Sequence, residues 1–289
     1  MKLRLKPSRL LLAGLFAGLV VRANAPDRLL WGEPDADLQR RVTDLLSANP
    51  MLGKAHAENR VSVALVDISD PNDIAYALVR PDWEVFTASM SKIAVLLGVV
   101  SKGGYEPVRS RMDDMIKRSD NDQTNWLYWW AGHDAITSAL YAHDLYDDAT
   151  GGLWWTPTYR STPNSPKSGL MICGTARQAA RYLLLMEQGR LIDSESSKVI
   201  KDVLRNSGLA VLFPGIREID KSARYYGKPG VYDGYVSEAM LVESGTMRYI
   251  LVVITKGTVY KHPDFYAFGA AVHRLVSNRN RNRTGRTGK

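Results

Sequence analysis

Segments with strand character sit towards the two ends of this chain, and a long helical stretch lies between them. Arg60–Asp67 alternates in polarity, and Ile74–Val79 repeats the pattern after the turn-like Ser69-Asp-Pro-Asn72, which predicts a hairpin. Far down the chain, Glu218–Ala223, Tyr235–Glu243 and Tyr249–Lys256 read as three more strands, with Gly234 and Gly245 at turns. Apolar residues at helical spacing predict a first helix over Asp35–Asn49. Helices are also predicted over Ser89–Val100, Val108–Arg118, Gln123–Trp130, Asp134–His143, Ala176–Gln188, Ser194–Asn206 and Pro263–Ser277. Residues 147–170, rich in Gly, Pro, Thr and Ser, read as a long loop. The expected fold class is α/β (α+β): an antiparallel sheet contributed by both chain ends, with a helical lobe from the middle. A cleft between sheet and lobe is the natural ligand site.

Charge is carried mainly by the ends. Of the formal +8, five positive charges fall in residues 1–25 and five in 279–289, so the body from 26 to 278 is about −2. A nucleic-acid enzyme would carry its charge on the folded surface, so no nucleic-acid partner is implied. Residues 1–25 read as a signal peptide or anchor. Lys2, Arg4, Lys6 and Arg9 precede the apolar run Leu10–Val21, and Ala23-Asn-Ala25 forms a small-x-small site. This predicts an exported protein, periplasmic or secreted, with membrane anchoring as the alternative. The domain of interest is then 26–278, and 279–289 reads as a basic disordered tail, with envelope association open to either end. Cys173 is the only cysteine, so no internal disulfide forms. It lies in an apolar stretch and reads as a packing residue. The five histidines are scattered, and no metal or organic cofactor is implied.

Ser89-Met-Ser-Lys92 carries the chemistry. Residues three apart share one helix face, so the Lys92 amine can approach the Ser89 hydroxyl. A serine hydroxyl needs a neighbouring base to become a nucleophile. A lysine serves when burial lowers its pKa. A helix start beside it offers backbone N–H groups to an oxyanion. Two further motifs follow in order: Ser119-Asp-Asn121, after a helical stretch, and Lys221-Ser222, in a strand-like segment. The bland reading makes Ser89 and Ser119 helix caps and Lys221 a solvated strand lysine.

The set S-x-x-K, S-D-N and K-T-G resembles that of the class A β-lactamase and penicillin-binding protein superfamily. The resemblance extends through Phe86-Thr-Ala-Ser-Met-Ser-Lys92, Met115-Ile-Lys-Arg-Ser-Asp-Asn121 and Asn125. It implies Ser89 as nucleophile, Lys92 as its base and Ser119 as proton relay to the leaving group. By the same resemblance Asn121 would bind the substrate amide, and Lys221 and Ser222 would hold a substrate carboxylate. Backbone N–H groups of Ser89 and Arg224 would form the oxyanion hole. The implied partner is a small-molecule or peptidoglycan-derived substrate, taken by a monomer.

Three departures shape the expected function. The third motif ends in Ala223 where glycine is usual; Lys228-Pro-Gly230 competes with it, but Pro229 lacks a hydroxyl and reads as a turn. Ser89 and Ser119 lie closer in sequence than the family leads one to expect, which predicts a cleft open on one side. The region of the deacylating loop glutamate falls near Gly151–Pro157 and contains no acid, with Asp147 and Asp148 a few residues before it. The expectation is a β-lactamase-related serine hydrolase that forms an acyl-enzyme at Ser89 with amide, β-lactam or peptide carbonyls. A D-Ala-D-Ala-type peptidase or esterase is one alternative, and a non-catalytic envelope binding protein on the same fold is another. Trp154-Trp155 and Tyr225-Tyr226 are rim candidates, while Trp126 and Trp130 read as core packing.

Overall fold

A computed structural model describes residues 30–157 and 162–284. The signal-like segment 1–25 lies outside the described residues, as do 285–289. All elements below belong to the unit that begins at Glu33. Near its start, α1 (Ala36–Ala48) and α2 (Pro50–Ala57) precede the hairpin β1 (Val61–Asp67) and β2 (Ala75–Val79). The middle supplies α3 (Lys92–Lys102), α4 (Arg109–Lys117), α5 (Asn121–Ala131) and α6 (His133–Ala142). Four two-residue strands follow: β3 (Tyr146–Asp147) with β4 (Gly151–Gly152), and β5 (Trp154–Trp155) with β6 (Ile172–Cys173). Then come α7 (Ala176–Glu187), α8 (Ser194–Leu204), α9 (Phe213–Ile219), β7 (Arg224–Tyr232), β8 (Tyr235–Ser244), β9 (Met247–Lys256) and α10 (Pro263–Thr284).

The five-stranded sheet is antiparallel in the order β2-β1-β9-β8-β7. The first hairpin joins the last through β1 and β9, with Val61 opposite Thr255 and Asp67 opposite Tyr249. Both faces are covered, so every residue of β1 is buried and the strand shows no polar face. On one side Leu38, Val42 and Leu46 of α1, Ile216 of α9, and Phe265, Phe268 and Val272 of α10 pack on Val63, Leu65, Met240 and Leu251. On the other side α7 lies across β1, β8 and β9. The centre of the helical lobe is α3, buried from Lys92 through Val100. Gly98 lets it close on α6, since a Cβ there would sit 2.3 Å from Ile136 Cγ1.

Two sequence expectations change. The segment 218–223 is not a strand: α9 ends at Ile219, and the strand starts at Arg224. Pro214 suits a helix start, and the Asp233-Gly234 turn fixes the strand behind it. Residues 279–284, expected as the start of a disordered tail, instead continue α10 as helix. One helix face presents Arg279 and Arg283 to three aspartates. Arg279 pairs with Asp35 (2.9 Å) and Asp67 (3.3 Å), and Arg283 with Asp67 (3.4 Å) and Asp73 (2.6 Å). Asp67 is fully buried, so the two guanidinium groups offset the cost of burying its carboxylate. Ending the chain at Asn278 should therefore lower the unfolding free energy by about 3 kcal/mol, read from the denaturant midpoint; an unchanged midpoint would mean that residues 279–289 are only a solvated end.

Candidate active site

The nucleophile candidate sits in a tight turn. Residues 88–91 form one turn of 3-10 helix before α3, and this geometry stacks residues three apart on one edge, Ser89 and Lys92 among them. Ala88 holds φ at 47°, a left-handed conformation that costs a non-glycine residue free energy and persists only where surroundings enforce it. The surroundings here are rigid. Ser237 Oγ of β8 donates to Thr87 O (2.7 Å), and Ser91 Oγ donates to Cys173 O (2.5 Å). Val85 and Gly174 bridge the two segments. Ser89 itself remains partly exposed.

Lys92 is completely buried, with its ammonium end turned toward Ser119. Its Nζ donates to Ser119 O (2.6 Å) and Asn121 Oδ1 (2.7 Å) and lies 3.4 Å from Ser119 Oγ. Ser119 also adopts a positive φ, 59°, at the junction of α4 and α5. Asp120 then caps α5, its Oδ1 accepting from Gln123 N at 2.9 Å, which fixes Asn121 at the first turn. The structure thus brings Ser89, Lys92, Ser119 and Asn121 together.

It does not bring Lys221, Ser222 or Arg224 to them. Lys221 and Ser222 lie in an exposed turn before β7, and Ser222 Oγ donates to Asp220 Oδ1 (2.7 Å). Arg224 is exposed at the start of β7, opposite Glu243. The competing Lys228-Pro-Gly230 takes their place. Lys228 Nζ lies 3.0 Å from Ser119 Oγ and donates to Pro229 O (3.0 Å), so the Ser119 hydroxyl stands between two buried amines. Gly230 is required by close approach: a Cβ would fall 2.2 Å from Thr87 O and 2.6 Å from Met90 N, on the nucleophile turn.

Pro229 is in an edge strand rather than a turn. Asp233 and Gly234, at φ 43° and 75°, make a two-residue turn of the mirror-image type, so Tyr232 and Tyr235 exchange both hydrogen bonds. Gly230 and Lys228 then also bond to β8, while Val231, Pro229 and Gly227 turn their backbone groups to the free edge. Tyr225 O, accepting from Asn206 N (3.0 Å) on that edge, follows the same parity. Proline is tolerated at 229 because its missing N–H would not have bonded to β8. Val231 N–H points outward beside Ser89. The oxyanion-hole partner suggested by geometry is therefore Val231, not Arg224.

Burial tunes the amines. Loss of water pushes Lys92 down to about 7, slightly opposed by Asp120. Burial and then the nearby Lys92 push Lys228 well below its ordinary value, partly opposed by Glu238. An amine that is half neutral near pH 7 can accept a proton from a hydroxyl and return it.

The cleft around Ser89 encloses about 450 Å³, lined by Phe86, Asn121, Asn125, Trp155, Met171 and Tyr232 among others. Trp155 is buried with its ring centre 5.6 Å from Lys92 Nζ. Tyr225 and Tyr226 are buried, bonded to Glu238 and Glu243, and do not form a rim; Tyr232 does. Trp126 is 41% exposed and stacks on Arg111, so it is not core. No carboxylate lines the cleft among the described residues. The sequence has no acid between Asp148 and Glu187. Asp147 accepts from Ala149 N, Thr150 N and Thr150 Oγ1, and Asp148 from Tyr141 OH, both at the surface. Cys173 is buried, donates to Glu84 Oε1 (2.9 Å), and is pushed up by burial and that carboxylate.

Residues 101–278 match the sequence profile of the beta-lactamase enzyme family, and the chain belongs to that family. No curated protein matches the sequence. The fold is similar to that of a beta-lactamase from Sphaerobacter thermophilus (15% identity, TM-score 0.66, covering 82% of this chain and 97% of that one). It is also similar to PBP-A (17%, 0.62, 85% and 98%) and to a class A beta-lactamase from Bacteroides cellulosilyticus (14%, 0.61, 85% and 98%).

The lowered lysines predict a pH effect on stability. Between about 7 and the ordinary 10.5, folded Lys92 holds fewer protons than the unfolded chain does. Stability should therefore rise with pH across that window, by at most about 1.4 kcal/mol per unit for one lysine. Lys92→Met should flatten the rise without abolishing it, since Lys228 acts in the same sense; chemical unfolding at several pH values measures this, and an unchanged slope would contradict the burial argument.

Proposed function

We propose that this chain is an acyl-transferring serine hydrolase that forms an acyl-enzyme at Ser89 and releases it slowly. The observation that carries the reading is the Ser119 hydroxyl held between Lys92 Nζ and Lys228 Nζ, next to the Ser89 turn. Lys92, neutral in part near pH 7, takes the Ser89 proton as Ser89 Oγ attacks a carbonyl carbon. Backbone N–H groups of Ser89 and Val231 stabilise the oxyanion. Ser119, positioned by Lys228, passes the proton to the leaving atom, and Asn121 binds the acyl side of the substrate.

Release of the acyl group requires a base for water. The carboxylate that serves this purpose in class A β-lactamases has no counterpart among the described cleft residues, where Trp155 stands near Lys92. The reading is therefore strongest for acylation and weakest for rapid antibiotic hydrolysis. An acyl-enzyme complex with penicillin G has been solved for a point mutant of PBP-A, which this fold resembles at 17% identity. The apolar lining of the cleft favours an esterase over a peptidase within this class. Export, inferred from residues 1–25, would place the reaction outside the cytoplasm.

Incubated with an activated p-nitrophenyl ester, the protein should gain the mass of the acyl group and lose it slowly. Ser89→Ala should gain none. Lys92→Ala should slow acylation by about 10²–10⁴-fold, and the wild-type acylation rate should rise with pH about a midpoint near 7. Intact-mass spectrometry reads all three. Rapid loss of the adduct would refute slow release, and absence of any Ser89-dependent adduct would leave only a binding role.

A further inference from the structure

A second recess opens on the leaving-group side of the nucleophile. It encloses about 100 Å³ and is lined by Ser89, Ser119, Leu209, Pro229, Val231 and Tyr260. Ser119 locates it chemically, because the atom that departs from the acyl carbon must be within reach of that hydroxyl. Its lining holds no charged side chain: beside the two serines and the Tyr260 hydroxyl, the lining groups are aliphatic or aromatic. Lys228, the nearest buried cation, is 1% exposed and already donates to Ser119 Oγ and Pro229 O. The position at which the resemblance expects a carboxylate-binding hydroxyl is Pro229, which has neither a hydroxyl nor an N–H to donate.

The wall opposite the strand is built, not incidental. Gly208 N donates to Lys117 O (3.1 Å), and Ser207 Oγ to Ile116 O (3.4 Å), which ties the Leu209 loop to the end of α4 beside Ser119. Glu238 of β8 holds the other end of this loop: its carboxylate accepts from Val211 N (3.0 Å) and Leu212 N (2.6 Å). Leu209 is nonetheless 45% exposed. Across the Ser89 region, Met171, Leu209, Val231 and Tyr232 are all large apolar side chains left open to solvent. A concentration of this kind around a nucleophile marks a surface that a ligand covers.

On the acyl-transfer reading above, we propose that this recess selects substrates whose leaving group is uncharged and apolar, such as the alkyl end of an ester or thioester, and disfavours leaving groups that carry a carboxylate. A carboxylate moved into it would lose water and find hydroxyls but no lining cation, an unfavourable exchange. In the reaction, the bond from Ser89 Oγ to the acyl carbon forms and the bond from that carbon to the leaving oxygen or sulfur breaks. The leaving atom keeps the electron pair and receives the proton that Ser89 gave up, by way of Lys92 and Ser119. No further reactant is needed for this half-reaction.

Two hippuryl thioesters test the proposal, one releasing ethanethiol and the other thioglycolate. Thiol release is followed colorimetrically, with each rate divided by the spontaneous hydrolysis of the same compound. The neutral thioester should have the higher kcat/KM by about tenfold or more, the order expected for a carboxylate desolvated without a cationic partner. Pro229→Thr and Leu209→Lys should each narrow that ratio in favour of thioglycolate; Leu209 is exposed, so its variant should fold even if the strand variant does not. Equal or preferred turnover of the thioglycolate ester, dependent on Ser89, would overturn the recess assignment and leave acyl transfer standing. A ratio unchanged in folded variants would also overturn it. If neither thioester acylates the protein and Ser89→Ala behaves as wild type, acyl transfer itself fails, and this inference with it.

Discussion

Two lysine side chains buried on either side of one hydroxyl are the demanding feature of this protein. Removing an ammonium group from water is costly, and a second one close by adds repulsion. The structure tolerates the pair by lowering both pKa values and by giving each amine fixed oxygen partners: Ser119 O and Asn121 Oδ1 for Lys92, Pro229 O for Lys228. Much else follows from keeping those atoms in place. The positive φ of Ser119 sets its carbonyl and hydroxyl at the junction of two helices, the Asp120 cap fixes the helix that carries Asn121, and the close packing of Gly230 sets the height of the strand that carries Lys228.

The same arrangement separates two halves of a reaction. Making an acyl-enzyme requires a base near Ser89, a relay to the leaving atom and N–H groups for the oxyanion, and the turn 88–91 with the edge of β7 can provide these. Hydrolysing it requires water and a base on the other side, where the described wall is Trp155, Thr156, Met171 and Ile172. On the reading proposed above, such a site would invest its electrostatics in forming the covalent bond, and its choice of substrate would rest on shape and apolar contact more than on charge.

Much of this was readable from the residues. Ser89-x-x-Lys92 and Ser119-Asp-Asn121 are local: each is a short spacing on a predicted helix boundary, and local spacing survives folding. The sheet drawn from both chain ends is legible from the alternation of Arg60–Asp67 and from the strand-like runs that Gly234 and Gly245 punctuate. The third motif is hard to place from sequence because a proline at 229 suits a turn as well as an edge strand. The Asp233-Gly234 pair held the missing information, since such a dipeptide fixes a hairpin and so makes Arg224–Tyr232 the strand before it. The short helices α2 and α9, each with Pro in its first turn, lack the length that makes periodicity persuasive. Arg279 and Arg283 read as part of a disordered tail for another reason. Their partners lie more than two hundred residues away in sequence, and no local pattern reports a contact of that range.

The pairing of β1 with β9 has a consequence in time. Val61 meets Thr255, so the strand at the middle of the sheet cannot be supplied until almost all of the described chain exists. Until then the β1–β2 hairpin presents an open edge, and Asp67 awaits guanidinium groups from α10. Contacts of this range slow folding, because distant loop closures come before the contacts that reward them. The polypeptide would therefore spend the interval before completion as a loose chain with an unfinished sheet. The arrival of β9 and α10, rather than the making of any local core, would set the moment at which the candidate cleft first exists.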